Sequence, residues 1–339
     1  MVKLGIIGCG YYGCIAAEEY KDIFDIVMFE KEKEIMSMSS FYNQNREHEG
    51  FHYCRNRKTR LLCKEGKEKF RQRYPNLVAD NNGYYVVSKN SILCFETIEM
   101  IFRTDGLDFE ICKDDRITEI YPKIFRVNEG VILSQKAKEY FTEILKDVEI
   151  RTETEVLSII QVEDGVLING EKFDYVLDCT YGQLSNENSE YIYENTLSLI
   201  YNKVEEFPSV TIIDGNFGSI YPMNESEKFT LTDVEFTPLI SSEIFDDVKN
   251  YVLTPEKLEE TKLKMEEKIC TYIPRFREIF IYEGYFTSFK TKQKSGSSSR
   301  DITIHNHGRI LSVNCGKIFG VFEWLNYLEH YFNEKILRI

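Results

Sequence analysis

Three glycines near the N-terminus have the spacing of a dinucleotide-binding turn. Gly8, Gly10 and Gly13 form a G-x-G-x-x-G sequence directly after an apolar stretch. The first glycine of such a turn permits the tight bend, the second lets a pyrophosphate approach, and the third lets helix and strand pack closely. Glu30 follows Gly10 by 20 residues, where a carboxylate accepts hydrogen bonds from a ribose. The sequence therefore predicts dinucleotide binding, without distinguishing NAD from FAD.

The elements around these residues are predicted to form a βαβ unit. Residues 2–7 and 25–30 have the branched apolar composition of buried parallel strands, and residues 14–22 between them have helical spacing. Farther along, short strands are predicted within residues 148–179, including one over 155–162. Turn residues at 163–165 and 169–170 fit a β-meander. An α/β fold follows from this alternation.

Composition limits the possible partners. The chain has 339 residues and a net charge of −14, which argues against a nucleic acid as partner. Its nine cysteines are odd in number and none has CxxC spacing, so neither a disulfide framework nor a metal site is expected. The apolar runs are too short for a transmembrane segment, and no signal peptide is evident. We expect a cytoplasmic protein with a small-molecule substrate; the oligomeric state is left open.

The loop after Glu30 helps to choose between the dinucleotides. It is long and polar, whereas a plain NAD-dependent dehydrogenase continues its α/β alternation quickly. Asn43, His48, Gly50 and Tyr53 match the form Asn-x-x-x-x-His-x-Gly-x-x-Tyr. In this loop the sequence resembles the D-amino-acid-oxidase-like FAD superfamily, and most closely its L-2-hydroxyglutarate oxidase branch.

Other segments extend the resemblance over most of the chain. Residues 61–66 (LLCKEG) resemble the Leu-Cys-x-x-Gly segment of that branch. Residues 174–182 (DYVLDCTYG) resemble the strand and glycine turn that return the chain to the cofactor domain, and residues 312–317 (SVNCGK) resemble the glycine turn that closes over the flavin. Thr180-Tyr181-Gly182 departs from the usual smaller residues. Residues 185–290 resemble the hydroxyglutarate enzymes poorly, so the resemblance does not assign the substrate.

The resemblance implies a discontinuous fold. We expect a Rossmann-like FAD-binding domain formed by residues 1–80, 130–185 and 295–339. An inserted mixed-sheet α+β substrate domain would come from residues 81–129 and 186–294. The active site would lie between the two domains, under the flavin ring.

The same resemblance implies non-covalent FAD. Cys315 lies in the flavin turn but does not match the expected attachment positions, so a buried, inert thiol is predicted. Lys317 would lie near the pyrimidine end of the flavin, where positive charge stabilises the reduced anion. The residues expected to bind the cofactor are Gly8, Gly10, Tyr11, Tyr12, Gly13, Glu30, Lys31, Ser39, Asn43, Gln44, Asn45, Arg46, Val156, Thr180, Gly182, Gly316, Lys317 and Ile318.

Three residues are candidates for catalysis. His48 is the candidate base, because its ordinary pKa suits proton transfer near neutrality; the alternative is a histidine that hydrogen-bonds the loop or the flavin. Tyr53, like His52, lines the pocket or merely packs. Arg300 is the candidate partner for a substrate carboxylate, and otherwise a solvated charge. Alternative cations are Arg46, Lys290, Lys292 and Lys294.

These residues predict an FAD-dependent oxidoreductase. The leading hypothesis is oxidation of a C–OH or C–NH₂ centre of a small 2-hydroxy or 2-amino acid by hydride transfer to flavin N5. A sugar or nucleotide-linked sugar, as in surface-polysaccharide pathways, is the alternative substrate. A non-catalytic flavin-binding protein and an NAD-only dehydrogenase are the remaining hypotheses. The electron acceptor is not predicted.

Overall fold

A computed structural model describes residues 1–118, 123–184, 190–215, 217–224, 226–294 and 302–335. Within these ranges the α-helices are α1 (Tyr11–Tyr20), α2 (Arg57–Arg73), α3 (Phe95–Thr104), α4 (Ser134–Ile144), α5 (Phe245–Lys249), α6 (Pro255–Cys270), α7 (Phe276–Ile279) and α8 (Val321–Lys335). The β-strands are β1 (Lys3–Ile7), β2 (Asp25–Phe29), β3 (Val78–Ala79), β4 (Asn82–Val87), β5 (Glu110–Cys112), β6 (Ile124–Asn128), β7 (Val131–Ile132), β8 (Glu149–Arg151), β9 (Ile159–Val162), β10 (Gly165–Ile168), β11 (Glu171–Phe173), β12 (Tyr175–Asp178), β13 (Tyr191–Lys203), β14 (Ser209–Ile213), β15 (Gly218–Pro222), β16 (Lys228–Asp233), β17 (Pro238–Ser242), β18 (Phe280–Gln293), β19 (Thr303–His307) and β20 (Ile310–Asn314).

The first sheet carries the glycine turn. Its strand order is β19-β20-β12-β1-β2-β8, and every pair is parallel except β19 with β20. Leu4 and Ile6 of β1 pack on one face, in a core that includes Trp324 of α8. Ile7 and Val27 pack on the other face, against the meander β9-β10-β11. Because both faces are covered, the strands are continuous apolar runs rather than alternating ones.

The predicted βαβ unit and meander are present with different boundaries. Helix α1 begins at Tyr11, directly after Gly10, and not at residue 14. The strand predicted over 155–162 covers only Ile159–Val162. The turn Asn169-Gly170 is confirmed, since both residues have positive φ angles of 48° and 88°, as a two-residue hairpin turn of type I′ requires.

The second sheet is larger and mixed. Its order is β17-β13-β16-β15-β14-β4-β6-β5, and β18 pairs with the full length of β13. Strands β4 and β14 are parallel, and the other pairs are antiparallel. Helices α6 and α7 pack on it through Met265, Ile269 and Phe276. The predicted fold class is confirmed: a Rossmann-like α/β unit with a mixed-sheet α+β unit. The exact domain boundaries stay a prediction.

None of the helices in the described ranges combines the length and apolar character needed to cross a membrane.

Gly13 provides a test of the close approach between α1 and β1. A Cβ atom at this position would lie 2.0 Å from the backbone oxygen of Gly8. Gly8 has a φ angle of +92°. Backbone cannot move aside as a side chain can, so we expect Gly13→Ala to lower the free energy of unfolding by about 3 kcal/mol, as measured by urea denaturation. Gly284→Ala is the matched control, since its Cβ would meet no atom within 4 Å. Equal stability of the two variants would contradict this packing.

Candidate active site

A single continuous cavity of about 770 Å³ begins at the glycine turn and runs between the two sheets. The first sheet contributes the ends of β1 and β12, through Gly8 and Thr180, and the second contributes strand residues such as Ser219 and Ser288. Cavities of this kind, at the carboxyl ends of parallel strands, are where dinucleotides bind in open α/β sheets.

At one end of the cavity the glycine turn is held by Glu30. One carboxylate oxygen of Glu30 accepts a hydrogen bond from the Cys9 N–H at 2.9 Å, and the other accepts from Glu32 N–H at 3.1 Å. Helix α1 begins beside it, and Ser40 Oγ accepts from Tyr11 N–H at 3.1 Å. A helix N-terminus and a carboxylate at this spacing suit a pyrophosphate and a ribose, respectively.

The polar loop of residues 39–46 forms the middle of the wall. Ser39 Oγ donates to the carbonyl of Phe289 at 2.8 Å, and Gln44 Nε2 donates to the carbonyl of Thr230 at 3.2 Å. Asn43 donates to the carbonyl of Ser39 at 2.5 Å. The loop is therefore attached to the second sheet through β16 and β18, and it lines the cavity.

At the far end, His48, His52, Tyr53 and Lys317 line the wall. The Lys317 Nζ lies 4.8 Å from the centre of the Tyr53 ring. Burial, assisted by the positive charge of Lys317, lowers the pKa of His48 to about 4. Burial also lowers the pKa of His52. Both imidazoles are therefore neutral at pH 7, and His48 can accept a proton there.

A buried ionic cluster lies behind His48, and sequence reasoning missed its central member, Glu129. Its Oε2 accepts from Tyr85 OH and, at 3.4 Å, from Arg46 Nη1. Arg46 also donates to Thr211 Oγ1 at 2.6 Å and stacks on the Tyr221 ring, 3.8 Å from its centre. These contacts engage the Arg46 guanidinium within the protein, and the suggestion that Arg46 anchors a substrate anion stays a prediction. Nothing in the sequence links Glu129 to His48, which is distant along the chain.

The second sheet presents a row of hydroxyl groups to the cavity, which sequence reasoning also missed. Thr196 and Ser288 are paired across β13 and β18 and lie 3.1 Å apart, oxygen to oxygen. Ser219 and Thr232 are paired across β15 and β16, 3.3 Å apart. Ser198 lies on the same wall. We call these five residues the hydroxyl wall.

Most of the predicted site residues meet at this cavity. Gly13 and Gly182 are not on its wall: Gly13 packs against Gly8, and the Gly182 carbonyl accepts from Tyr193 OH at 2.6 Å. Arg300 lies outside the described residues. The predicted residues on the wall are His48, Tyr53, Gly8, Gly10, Tyr11, Tyr12, Glu30, Lys31, Ser39, Asn43, Gln44, Asn45, Arg46, Val156, Thr180, Gly316, Lys317 and Ile318.

The turn after β20 closes the end of the cavity that is lined by His48 and Lys317. Tyr12 OH donates to the carbonyl of Lys317 at 2.7 Å, which ties the turn to α1. Cys315 is buried there, and burial raises the pKa of its thiol. A protonated thiol is a poor nucleophile, so these findings support the expectation of an inert cysteine and non-covalent cofactor.

The fold and the cavity together define a class. Solved structures with the same fold include glycine oxidase from Geobacillus kaustophilus (TM-score 0.71, 11% identity, covering 95% of this chain and 91% of that one). L-α-glycerophosphate oxidase from Mycoplasma pneumoniae with FAD bound matches at a TM-score of 0.73, with 13% identity and 95% and 92% coverage. The protein has the fold of the D-amino-acid-oxidase-like and glycine-oxidase-like flavoenzymes.

Sequence similarity gives the family. The chain is 37% identical over 327 residues to the FAD-dependent monooxygenase FPY4 of Fusarium mangiferae, covering 94% of this chain and 88% of the relative. No protein-family model matches. The chain belongs to this family of FAD-dependent oxidoreductases; it is an enzyme, and FAD is its cofactor. The hypotheses of a non-catalytic flavin-binding protein and of an NAD-only dehydrogenase are therefore discarded.

Glu30 offers a test of how the cofactor is held. In Glu30→Gln an amide NH₂ would face either the Cys9 or the Glu32 N–H, and a charged acceptor for the ribose is lost. Hydrogen bonds to charged groups contribute about 1.5–3 kcal/mol, so we expect FAD to bind roughly 10- to 100-fold more weakly, measured by flavin fluorescence during titration of the apoprotein. Glu32→Gln, outside the cavity wall, is the control and should bind FAD normally. Similar affinities in both variants would exclude this role for Glu30.

Proposed function

We propose that this enzyme oxidises a C–OH or C–NH₂ centre of a small polar substrate, and that His48 accepts the proton of the substrate heteroatom. Bound FAD supplies the hydride acceptor. The hydride leaves the substrate carbon and the O–H or N–H proton goes to His48, so that C=O or C=NH forms. The observation that carries the proposal is the position of the His48 imidazole on the cavity wall, where burial keeps the ring uncharged at neutral pH.

Lys317 has a second role in this proposal. It lies at the same end of the cavity as His48, with its ammonium group over the Tyr53 ring. A positive charge fixed there stabilises negative charge that develops on the ring system of the cofactor. The same charge disfavours protonation of His48 before the substrate binds. Lys317 therefore favours the state in which His48 is ready to accept a proton.

The substrate class is proposed in two forms. A small 2-hydroxy or 2-amino acid needs a cation for its carboxylate, and the candidates are Arg300 and, on the cavity wall, Lys290 and Arg46, whose guanidinium is engaged within the protein. A sugar or nucleotide-linked sugar is favoured by the hydroxyl wall, because hydroxyl groups both donate and accept hydrogen bonds. The L-2-hydroxyglutarate oxidase branch stays a prediction within the first form.

Anaerobic bleaching of the flavin distinguishes the two forms. The panel consists of 2-hydroxy acids including L-2-hydroxyglutarate, 2-amino acids, and aldoses with their nucleotide-linked forms. If acids reduce the flavin, Lys290→Met should raise the KM for the acid while Ser198→Ala has little effect; if sugars do, the order should be reversed. Incorporation of ¹⁸O from O₂ into the product would instead assign the monooxygenase activity for which FPY4 is named.

His48→Gln tests the proton acceptor directly. General base catalysis contributes about 10²–10⁴-fold, so we expect flavin reduction by the best substrate of the panel to slow by that factor while FAD remains bound. In the unsubstituted enzyme the rate should hold through neutral pH and fall as the pH approaches 4, because a protonated imidazole cannot accept another proton. His330→Gln is the control, since that side chain is 76% exposed. A normal rate in His48→Gln would refute the assignment.

A further inference from the structure

Glu129 occupies an unusual position for a carboxylate. Its side chain is only 1% exposed, and it follows β6 of the second sheet, next to the loop that carries His48. Its backbone is held as well, because Tyr221 OH donates to the Glu129 carbonyl at 2.6 Å. Burial alone raises the pKa of this carboxyl, but His48, Arg46 and Tyr85 together lower it below its usual value. Glu129 is therefore a fixed, buried anion.

One of its oxygens faces His48. Oε1 accepts from the Glu49 N–H at 3.0 Å and lies 3.6 Å from Nδ1 of His48. That ring nitrogen is buried and makes no hydrogen bond within the described residues. The ring itself borders the cavity. Since Nδ1 is on the Glu129 side, Nε2 is the nitrogen left for a substrate, and contacts of this length commonly tighten once ligands are bound.

From this geometry we propose that Glu129 is a positioning residue that acts through His48. It selects the imidazole tautomer that carries its proton on Nδ1, toward the carboxylate, and leaves the lone pair of Nε2 facing the cavity. The tautomer of a histidine is set by the partner of its other nitrogen. The inference rests on the proposed role of His48 as proton acceptor.

The surrounding charges explain why such a residue is needed. Lys317 and Arg46 both oppose a positive charge on His48, and His52 and Tyr53 are the other titratable groups that face it. When His48 takes the substrate proton, an imidazolium forms between these cations. Glu129 is the anion in contact with that imidazolium, so it offsets their repulsion at the step where the charge appears.

A structural role alone would have different consequences. If Glu129 served only to neutralise Arg46, its replacement would destabilise the protein without changing which ring nitrogen of His48 carries the proton. The tautomer of His48 therefore separates the two roles. It can be measured without a substrate, so its result does not depend on whether the proposed reaction is correct.

The experiment uses the FAD-bound enzyme labelled with ¹⁵N-histidine, with the His48 signals identified by their loss in His48→Gln. At pH 7 we expect a protonated Nδ1 and an unprotonated Nε2. In Glu129→Gln the amide can donate to Nδ1 or accept from it, so both tautomers should appear, and His48 should titrate at a lower pH because an anion has been removed. Glu129→Asp should retain the Nδ1–H tautomer. Glu47→Gln is the matched control: Glu47 is a fully buried carboxylate paired with Arg71, and its loss should leave the His48 signals unchanged.

Two results would overturn the inference. One is an Nε2–H tautomer in the unsubstituted enzyme, which decides the question even if Glu129→Gln does not fold. The other is an unchanged tautomer in Glu129→Gln. With a substrate from the panel, Glu129→Gln should slow flavin reduction at least 10-fold alone and not further in a His48→Gln background. Failure of every substrate to reduce the flavin would contradict the proposed function and leave the tautomer result standing.

Discussion

The burial of the Glu129 carboxylate beside Arg46 is the interaction on which the architecture of the site depends. An unpaired charge in this position would be strongly destabilising, whereas a paired and hydrogen-bonded one is tolerated. Arg46 belongs to the polar loop that follows β2, and Glu129 directly follows β6 of the second sheet. The pair therefore holds the polar loop against the second sheet. His48, two residues after Arg46, is placed by the same attachment.

The two ends of the cavity differ in charge because different residues line them. At the glycine turn, Glu30 and the N-terminus of α1 supply an anion and backbone dipoles, which suit a ribose and a pyrophosphate respectively. At the end lined by His48, Lys317 contributes positive charge and the two histidines are neutral because they are buried. Lys317 keeps His48 unprotonated before a reaction but opposes the imidazolium that would form, and the Glu129 carboxylate is placed to offset that opposition.

The second sheet forms the part of the cavity wall where we expect the substrate to bind. The hydroxyl wall lies on β13, β15, β16 and β18, in the part of the sequence that resembles the hydroxyglutarate enzymes least. Alternation along a strand puts residues two apart on the same face. The antiparallel pairing of β13 with β18 then sets Thr196 beside Ser288. We therefore expect these strands to determine substrate preference and the loops of the first sheet to hold the cofactor.

The sequence by itself determined the glycine turn and the fold class. Gly8, Gly10, Gly13 and Glu30 are local features whose spacing is dictated by one βαβ unit, so they can be read without knowing the rest of the chain. Helix α1 still began earlier than its pattern indicated, at Tyr11, because the glycines permit a helix to start directly at the turn. Only the tertiary structure showed that the Arg46 guanidinium is engaged within the protein, that Glu129 lies beside His48 and that the hydroxyls of four strands share one wall. These contacts join residues far apart in the chain, and their partners are chosen by sheet register and burial, which no local pattern encodes.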